Sequence, residues 1–407
     1  MKDAILVLNA GSSSIKFALY PVISVSDTGD ADNQAPLIRG KITGIGNNPI
    51  LSAQDRTGNK IGQNRLMPIA PNTEYDDLIP NLLGWLESSV DDATICAAGH
   101  RVVHGGQGHD KPARVTPELM NDLEKLIPLA PLHQPHNLAA IRAVTTALPD
   151  LAQVACFDTS FHRTQIKLAQ SFALPRALTD EGIIRYGFHG LSYDYIAGQL
   201  PKHLGARANG RVIVAHLGNG ASMCAMKNRQ SVATSMGFTA LDGLMMGRRC
   251  GTIDPGVILH LIDNKGMSSQ EVGQLLYNQS GLLGVSGISN DMHVLETSIS
   301  PHAQEAINLF CYRAACELAS LTIPIGGIDT IVFTAGIGEN SAYVRQKICE
   351  HLSWMGVFLD DGANTKNAPR ISKAGSDVDV LIIPTNEEIV IARATCNLTN
   401  SRPVTGR

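Results

Sequence analysis

The sequence contains few aromatic residues and no long apolar run. Phe, Trp and Tyr together make up 5% of the 407 residues, and charged residues make up 17%. A transmembrane helix needs about 18 or more consecutive apolar residues, and no stretch approaches that length. The apolar run from Ala4 to Leu8 is too short for the core of a secretory signal, and Asp3 stands where such a signal carries positive charge. These absences exclude a membrane-spanning chain and predict a cytoplasmic one.

The sequence also lacks blocks of like charge and closely paired cysteines. Its net charge is −4, with acidic and basic residues mixed along the chain. We therefore expect neither a nucleic-acid-binding tail nor a membrane-binding patch. The eight cysteines are scattered and none forms a Cys-x-x-Cys pair, which argues against zinc and redox sites and favours reduced thiols.

Two common nucleotide-binding motifs are absent, but glycine is abundant. Neither G-x-G-x-x-G nor G-x-x-x-x-G-K-[ST] occurs, which excludes a Rossmann dinucleotide site and a P-loop. There are 38 glycines, and three predicted strand ends run into glycine-rich turns: Gly11 to Ser14, Gly218 to Gly220 and Gly336 to Gly338. Backbone N–H groups in such turns, with hydroxyls such as those of Ser12 and Ser14, suit phosphates, although a hairpin alone also requires glycine.

Strands alternate with helices along the chain, which predicts an α/β fold. An offset of 207 residues places Gly11 on Gly218 and Ile5–Leu8 on Val212–Ala215. A repeat spanning about half the chain predicts two related domains. The polar segment Ser24 to Gln34 is predicted to be a surface loop. Further predicted elements are helices at Tyr75–Ser88, Glu118–Ile127 and His302–Leu321, and strands at Leu151–Phe157, Thr330–Phe333 and Val378–Ile383.

Three positively charged or ionisable side chains lie in glycine-rich loops. Arg101, His189 and Arg249 each stand within four residues of two glycines. A lone histidine is more often structural, and adjacent arginines usually form a solvated surface. Glycine neighbours weaken that interpretation, because loop glycines add little stability. Arg and His in such loops would suit the clamping of a transferring phosphoryl group.

Two carboxylates and one lysine have two interpretations each. Asp158 follows a predicted strand and Glu387 opens the last helix, so each is either a helix cap or a magnesium ligand beside phosphates. Lys16, two residues past the first glycine turn, is either an exposed strand lysine or a phosphate contact.

Taken together, these motifs closely resemble those of the acetate kinase family, which also contains propionate and butyrate kinases. The resemblance covers essentially the whole chain and rests on two long motifs, Asn9 to Phe17 and Met236 to Pro255. Six shorter motifs follow in the family order: His100–Gly106, Phe157–Thr159, Phe188–Gly190, His216–Gly220, Gly336–Asn340 and Asn386–Glu388.

The resemblance implies two duplicated α/β domains of the actin, sugar-kinase and heat-shock-ATPase type (ribonuclease H-like), with the nucleotide in the cleft between them. Residues 1–158 with 384–407 would form the carboxylate and phosphate side, and residues 159–383 the nucleotide side. The implied reaction is reversible, Mg²⁺-dependent transfer of the ATP γ-phosphoryl group to acetate. It would give acetyl phosphate and ADP in the interconversion of acetate and acetyl-CoA. A homodimer is also implied, with the helix His302–Leu321 as a candidate interface.

The resemblance also implies a role for each motif residue. Asp158, at the acid/base position, would act with His189 and Arg249 in catalysis, and Arg101 would bind the substrate carboxylate. The apolar pocket beside it would be lined by Val103, Leu132, Phe188 and Ala240. Asn9 and Glu387 would hold Mg²⁺, with Mn²⁺ as a substitute. The implied nucleotide contacts are Lys16, Ser12, Ser14, His216, Leu217, Gly218, Asn219, Gly220, Asp291, Met292, His293, Gly336, Ile337, Gly338, Glu339 and Asn340.

Two departures from the family pattern bear on specificity. The family's Asp-x-Arg that contacts adenosine stands here as Asp291-Met292-His293, and histidine lacks the planar fork of arginine. The second long motif usually has Pro and Glu where Ala240 and Asp242 stand, and Ala240 would widen the apolar pocket. We expect acetate as substrate with appreciable activity on propionate; a propionate kinase is the alternative.

A carboxylate substrate sets the expected mechanism. A short-chain acid has a pKa near 4 to 5, by analogy with Asp and Glu, so at neutral pH it needs no deprotonation before it attacks phosphorus. We therefore expect Asp158 to orient a magnesium-bound water or Arg249 rather than to abstract a proton. Two other classes remain: a sugar or polyol kinase of the same fold, and an actin-like or chaperone-like ATP switch.

Overall fold

The computed structural model describes residues 2–11, 13–22, 35–61, 74–90 and 93–399. Two predicted features, the loop Ser24–Gln34 and the phosphate donor Ser12, lie outside the described residues. The chain divides into two compact units: Met1–Ser160 with Asn386–Arg407, and Phe161–Thr385. Across the described ranges, no helix is both long enough and apolar enough to cross a membrane.

The first unit is built on a mixed sheet whose described strands run in the order β5-β4-β3-β2-β1-β6-β8-β7. β1 and β2 lie near its centre because their apolar runs are buried on both faces. The strands are β1 Lys2–Gly11, β2 Ser14–Pro21, β3 Ile38–Thr43, β4 Ile50–Asp55, β5 Lys60–Ile61, β6 Ala93–Val102, β7 Ala113–Arg114 and β8 Ala152–Phe157. The helices are α1 Tyr75–Ser89, α2 Pro117–Lys125 and α3 Gln134–Ala147, with a 3-10 turn at Ile127–Leu129.

The second unit has a five-stranded sheet, whose order is β11-β10-β9-β12-β13 among the described strands. Its strands are β9 Arg211–Leu217, β10 Ala221–Lys227, β11 Gln230–Thr234, β12 Thr330–Thr334 and β13 Asp379–Ile382. Its α-helices are α4 Lys167–Gln170, α5 Arg176–Asp180, α6 Gly190–Leu204, α7 Pro255–Asp263, α8 Ser269–Asn278, α9 Gly281–Ser286, α10 Met292–Glu296, α11 Pro301–Ile325, α12 Ala335–Asn340, α13 Ala342–Glu350 and α14 Asp361–Thr365. Short 3-10 helices occur at Ser160–Thr164, at Gly205–Asn209 and at Ser353–Met355. The chain then returns to the first unit as α15, Glu387–Thr399.

The two sheets share one topology. In the first unit β1 pairs antiparallel with β2 and parallel with β6, and β6 pairs parallel with β8. In the second unit β9 pairs antiparallel with β10 and parallel with β12, and β12 pairs parallel with β13. β1 and β9 therefore hold equivalent places, and these strands carry the repeat that the sequence predicts. The α/β architecture and the duplication are confirmed.

One predicted turn is wrong. Gly336 to Gly338 lies within the short helix α12 rather than in an open turn. The side chain of Glu339 accepts a hydrogen bond from the Ala335 N–H at 2.8 Å, and the Asn340 side chain donates to the Gly336 carbonyl at 2.8 Å. These local side-chain bonds satisfy backbone groups at both ends, which lets so short a segment close into a helical turn.

The C-terminal helix is fixed on the first sheet by one close approach. α15 packs against β1, β6 and β8, and it crosses β6 at Gly99. A Cβ at Gly99 would lie 2.2 Å from Oγ1 of Thr395, so only glycine lets the helix come this close. This packing fixes the position of Glu387, the first residue of α15.

Candidate active site

The carboxyl ends of three neighbouring strands in the first unit bring Asn9, Arg101 and Asp158 together. Nε of Arg101 donates to Oδ1 and Oδ2 of Asp158 at 3.2 and 3.0 Å, and Nη2 donates to Oδ2 at 2.5 Å. Nη1 of Arg101 donates to Oδ1 of Asn9 at 3.1 Å. The parallel pairing of β6 with β8 places the end of each strand at one edge, and residues at such an edge meet although they are far apart in sequence.

The guanidinium of Arg101 lies in an acidic setting. Burial alone would lower its pKa, but Asp158 and Glu387 act in the opposite direction and the pKa is raised overall. The Asp158 side chain is 1% exposed and that of Arg101 is 23% exposed. A fork-to-carboxylate pair of this kind fixes the orientation of both groups. Both interpretations of Asp158 given above, helix cap and magnesium ligand, stay predictions.

The first glycine turn is anchored by side chains that the sequence pattern did not single out. Nδ2 of Asn137 donates to the Ala10 carbonyl at 2.5 Å, and the Tyr75 hydroxyl donates to the Gly11 carbonyl. The Ser13 carbonyl accepts from the Gly44 N–H at 3.0 Å. These bonds hold the backbone on either side of the turn. Buried polar residues on α1 and α3 give no periodic signal that would have identified them.

Two predicted contacts flank this turn. Lys16 is exposed, and on β2 it is the residue paired with Asn9 of β1. The two residues are therefore neighbours across the strand pair. Burial raises the pKa of Glu388, while the positive charges of Arg39 and Lys16 act to lower it. Ser14 is half-buried and opens β2. Both residues thus border the strand that carries Asn9, and their contact with a nucleotide stays a prediction.

The loop after Arg101 is clamped through its backbone. The Val103 N–H donates to Oδ1 of Asn137 at 2.9 Å, and the His104 N–H donates to Oε1 of Gln134 at 3.2 Å. The Gly105 N–H donates to Oγ1 of Thr159 at 3.0 Å. Three buried side chains therefore fix the residues that follow Arg101, and this rigidity suits a substrate-positioning loop.

The predicted substrate residues divide between the two units. Val103 is buried and Leu132 is 42% exposed in the first unit. Phe188 is buried and Ala240 is half-buried in the second unit. Their meeting in one pocket stays a prediction.

In the second unit, His189 is held in an unusual backbone conformation at the start of α6. Its φ of 59° and ψ of 24° are left-handed, a region that non-glycine residues enter rarely and often at functional sites. His162, which the sequence reading did not select, accounts for part of this: its Nε2 donates to the Phe188 carbonyl at 2.9 Å. Burial lowers the pKa of His162 to about 4, so the ring is neutral at physiological pH.

His189 stacks on His216. The ring centroids lie 4.3 Å apart at an interplanar angle of 16°. Nδ1 of His189 lies 2.8 Å from Oγ of Ser222, and Nδ1 of His216 lies 2.8 Å from Oγ of Ser192. Two positive charges at this separation would repel by about 4 kcal/mol at an effective dielectric constant of ~20. The stacking therefore favours at most one protonated ring.

His189 and Arg249 converge on the second glycine turn. A Cβ at Gly220 would lie 3.3 Å from Nε2 of His189 and 3.9 Å from Nη1 of Arg249. The same Nη1 donates to the Ala240 carbonyl at 3.0 Å. Ala240 thus contributes its backbone to the position of Arg249. Two cationic or hydrogen-bonding groups beside a glycine turn can stabilise charge on a phosphoryl group.

Asp242, which stands where the family usually has Glu, makes three hydrogen bonds within its own unit. Its carboxylate accepts from Nη1 of Arg185 at 3.1 Å, from the Gly243 N–H at 2.8 Å and from Oγ1 of Thr252 at 2.9 Å. The residue therefore holds the loop that carries Arg249.

Eight of the sixteen predicted nucleotide contacts line a cavity of about 380 Å³ in the second unit. Asn290, Glu296 and Ser341 also line it, although the motifs did not indicate them. Asp291 caps α10 by accepting from the His293 N–H at 2.9 Å. The predicted contacts found in the lining are Gly218, Asn219, Asp291, Met292, His293, Gly336, Ile337 and Asn340.

Other predicted contacts lie outside that lining. Leu217 is fully buried at the end of β9, and a Cβ at Gly338 would lie 3.4 Å from the Phe333 backbone. Glu339 uses its Oε1 to accept from the N–H groups of Ala335 and Thr385, at 2.8 and 3.1 Å. Leu217 and Gly338 thus pack in the interior, and the Glu339 side chain bonds to the backbone of Ala335 and Thr385.

A metal site made by side chains alone is not evident in the described ranges. They contain no group of three or more His, Cys, Asp and Glu side chains placed to hold a metal ion. Mg²⁺ typically keeps several waters and takes one or two carboxylates with substrate phosphates. Two protein ligands, as predicted for Asn9 and Glu387, would agree with that habit.

Comparisons with known proteins agree over almost the entire chain. Residues 4–393 match the acetokinase family. The acetate kinase of Rhodopseudomonas palustris strain TIE-1 is 52% identical over 397 residues, covering 97% of this chain and 98% of that protein. The acetate kinase of Methylocella silvestris is 48% identical over 398 residues, covering 98% of each.

Solved structures give the same picture. A propionate kinase from Francisella tularensis superposes with a TM-score of 0.88 at 37% identity, covering 97% of this chain and 99% of the other. The acetate kinase of Porphyromonas gingivalis superposes with a TM-score of 0.85 at 34% identity, covering 98% and 100%. Both the fold and the family resemblance inferred from the sequence are therefore confirmed.

Proposed function

The chain belongs to the acetokinase family, and we propose that it transfers the γ-phosphoryl group of ATP to acetate. The products are acetyl phosphate and ADP. The observation that carries this proposal is the convergence of His189 and Arg249 on Gly220, within a unit whose cavity is lined by the predicted nucleotide residues. A sugar kinase would need a base to deprotonate a hydroxyl, whereas Asp158 is engaged by Arg101.

The chemistry assigned to the site follows from charge. The acetate anion attacks the γ-phosphorus without losing a proton, so the barrier comes from bringing an anion to a polyanion. Arg101 draws in the carboxylate with the N–H groups that Asp158 and Asn9 leave available, since a guanidinium has five donors. His189 and Arg249 stabilise the charge that develops on the phosphoryl oxygens.

A divalent cation fits the oxygen atoms around Arg101. The amide oxygen of Asn9 bonds to this guanidinium, and the charge of Glu387 acts on it. Amide and carboxylate oxygens are the donors that Mg²⁺ and Mn²⁺ prefer. In our proposal Asn9 and Glu387 hold the ion, which supplies neutralisation of phosphate charge when bound.

We also propose a homodimer and a cytoplasmic location. In place of the helix His302–Leu321, whose apolar residues such as Phe310 and Leu318 are buried in α11, we propose α7 as the interface. α7 has no buried residue, and Val257, Leu259 and Ile262 on it are 40%, 60% and 36% exposed. Exposed apolar side chains so close together are typical of a subunit interface. All eight cysteines lie among the described residues and none of them forms a disulfide bond, which agrees with a reducing compartment.

Trapping with hydroxylamine tests the reaction. The protein is incubated with ATP, Mg²⁺ and acetate, propionate or butyrate, and acyl hydroxamate is measured. We expect the highest kcat/KM with acetate. One added methylene changes binding by about 1–3 kcal/mol, and Ala240 would widen the pocket, so we expect kcat/KM for propionate to be lower by only about 10-fold. A higher kcat/KM for propionate would make the chain a propionate kinase, and no hydroxamate from any carboxylate would refute the proposal.

The Arg101→Ala variant extends this test, with Arg142→Ala as the matched control. Arg142 lies in the same unit and pairs with Glu124 at the surface, where it is 51% exposed. We expect Arg101→Ala to lose hydroxamate formation and Arg142→Ala to keep it.

A further inference from the structure

The hydroxyl groups behind His189 form a short chain of hydrogen bonds. Oγ of Ser222 lies 2.8 Å from Nδ1 of His189 and 2.5 Å from the hydroxyl of Tyr193. Tyr193 and Ser222 are both fully buried. Tyr193 follows His189, the residue that caps α6, by four positions. The first turn of this helix therefore carries both ends of the hydrogen-bond series.

The number of available protons indicates which group donates in each of these hydrogen bonds. If Tyr193 donates to Ser222 and Ser222 donates to Nδ1 of His189, each hydroxyl proton has an acceptor. In the reverse direction Nδ1–H donates to Ser222, and Ser222 donates to Tyr193. The Tyr193 proton then needs a further acceptor within a cluster of apolar residues such as Ile196 and Leu200, where the thiol of Cys224 is only a weak acceptor. A buried hydroxyl without a good acceptor is unfavourable.

The electrostatics of Tyr193 agree with that direction. Burial raises the pKa of Tyr193 well above its ordinary value, so the phenol keeps its proton throughout the physiological range. The other nitrogen of His189, Nε2, points to Gly220 and lies near Arg249. An acceptor role for Nδ1 therefore leaves the ring proton on the nitrogen that faces the glycine turn.

We propose that Tyr193 and Ser222 are positioning residues that hold neutral His189 as its Nε2–H tautomer. In this form the ring donates a hydrogen bond toward Gly220, where an oxygen of the transferred phosphoryl group is expected. The inference rests on the proposed function for the identity of that oxygen. The tautomer is argued from the hydrogen bonds of Ser222 and Tyr193 and does not depend on the proposed function.

Nitrogen NMR tests the tautomer directly. In protein labelled with ¹⁵N-histidine, the His189 signals are identified by their loss in the His189→Gln variant. We expect Nδ1 of His189 to be unprotonated and Nε2 to carry the proton. In Ser222→Ala we expect a mixture of both tautomers. A protonated Nδ1 in the unsubstituted protein, or an unchanged tautomer in Ser222→Ala, would overturn the proposal.

Kinetics supply the second measurement. We expect Tyr193→Phe and Ser222→Ala to lower kcat by about 10-fold or more, with KM for ATP and acetate within about twofold of the unsubstituted values, because the lost interaction acts on the transition state. Ser222→Thr keeps the hydroxyl and should recover most of kcat. Tyr343→Phe, which removes the hydroxyl that bonds to Gln304 at the surface, is the matched control and should leave kcat unchanged.

The outcomes separate this proposal from the proposed function. An unchanged kcat in folded Tyr193→Phe and Ser222→Ala would refute the positioning role. If no carboxylate is phosphorylated, the proposed function fails, while the NMR result still decides the tautomer.

Discussion

Asp158 and Arg101 show how much one charge pair decides at the residue scale. Asp158 lies at a strand end, a position compatible with a helix cap, a metal ligand or an acid/base group. In the structure both of its oxygens accept from Nε of Arg101. A carboxylate held in this way favours its ionised form and orients its partner. The contacts therefore favour a positioning role over proton transfer.

Replacing Asp158 with Asn tests that role. We expect kcat to fall by roughly 100- to 1,000-fold, because Arg101 loses its orientation at the reacting group. The pH profile near neutrality should not change. Asp122→Asn, which removes an exposed carboxylate paired with Lys125, should keep full activity. If the variant loses a basic-limb pKa that the unsubstituted protein shows, Asp158 transfers a proton.

A double variant serves as the control for loss of stability in Asp158→Asn. Removing one partner of a buried pair leaves the other charge uncompensated and costs about 3–5 kcal/mol. Arg101→Gln with Asp158→Asn removes both charges, so its Tm should recover toward the original value while activity stays low.

Two buried histidines predict a loss of stability in acid. Burial lowers the pKa of His100 and of His162 to about 4, whereas an unfolded histidine titrates near 6.5. Below about pH 6.5 the unfolded chain binds more protons than the folded one, so stability falls with pH until about pH 4. Between pH 7.5 and pH 5 the expected loss is roughly 2 kcal/mol for each histidine.

Urea unfolding at several pH values measures this effect. His100 lies in the first unit and His162 in the second, so His100→Gln and His162→Gln should each flatten the pH dependence of one transition. His302→Gln, at a position whose side chain is 69% exposed, should leave both unaltered. An unchanged slope in the two buried variants would contradict the prediction.

At the scale of elements, α12 carries the clearest difference between pattern and structure. The glycines of Gly336–Gly338 suggested a phosphate turn like the other two. They lie instead in a helix whose ends are satisfied by Glu339 and Asn340. A Cβ at Gly336 meets no atom within 4 Å, so packing within the chain does not require glycine there. The remaining reason for glycine at this position is the space of the adjoining cavity.

The Gly336→Ala variant tests whether that space belongs to the nucleotide. We expect KM for ATP to rise at least about 10-fold while Tm stays equal or rises, since alanine stabilises a helix by up to about 1 kcal/mol relative to glycine. Gly273→Ala in α8, where a Cβ also meets no atom within 4 Å, is the matched control with an unchanged KM. An unaltered KM for ATP in Gly336→Ala would remove α12 from the nucleotide site.

At the scale of the whole molecule, the repeat explains where the site residues come from. Asn9 lies near the end of β1, while His216 lies near the end of β9 and Gly220 in the turn after it. β1 and β9 are equivalent strands of the two sheets. A single strand–turn–strand design is thus used twice, with a metal-binding amide proposed for one copy and a phosphoryl-binding turn for the other. Both proposed sites lie at the carboxyl end of a strand, where ligands bind in open α/β sheets.

The apolar surface of α7 predicts assembly of two copies. We expect a dimer by sedimentation at micromolar concentration, and a monomer for Leu259→Asp, because a charge in an apolar interface is strongly unfavourable. Ile50→Asp changes an isoleucine that is 58% exposed in the first unit and should remain dimeric. A monomeric unsubstituted protein would contradict the proposal.

The sequence by itself determined the α/β class, the repeat and the candidate residues of the site. The alternation of strand and helix patterns, the glycines at strand ends and the order of the motifs can all be read from the sequence. They indicated Asn9, Arg101, Asp158, His189 and Arg249 as candidates. Tertiary structure alone decided which partners these residues have. Asn137, Ser222 and Tyr193 carry no local signal, because a buried hydroxyl or amide acquires its role only when distant segments fold against it. The helical form of Gly336–Gly338 depends on both levels: Glu339 and Asn340 bond locally to the helix backbone, and Glu339 also accepts from the N–H of the distant Thr385.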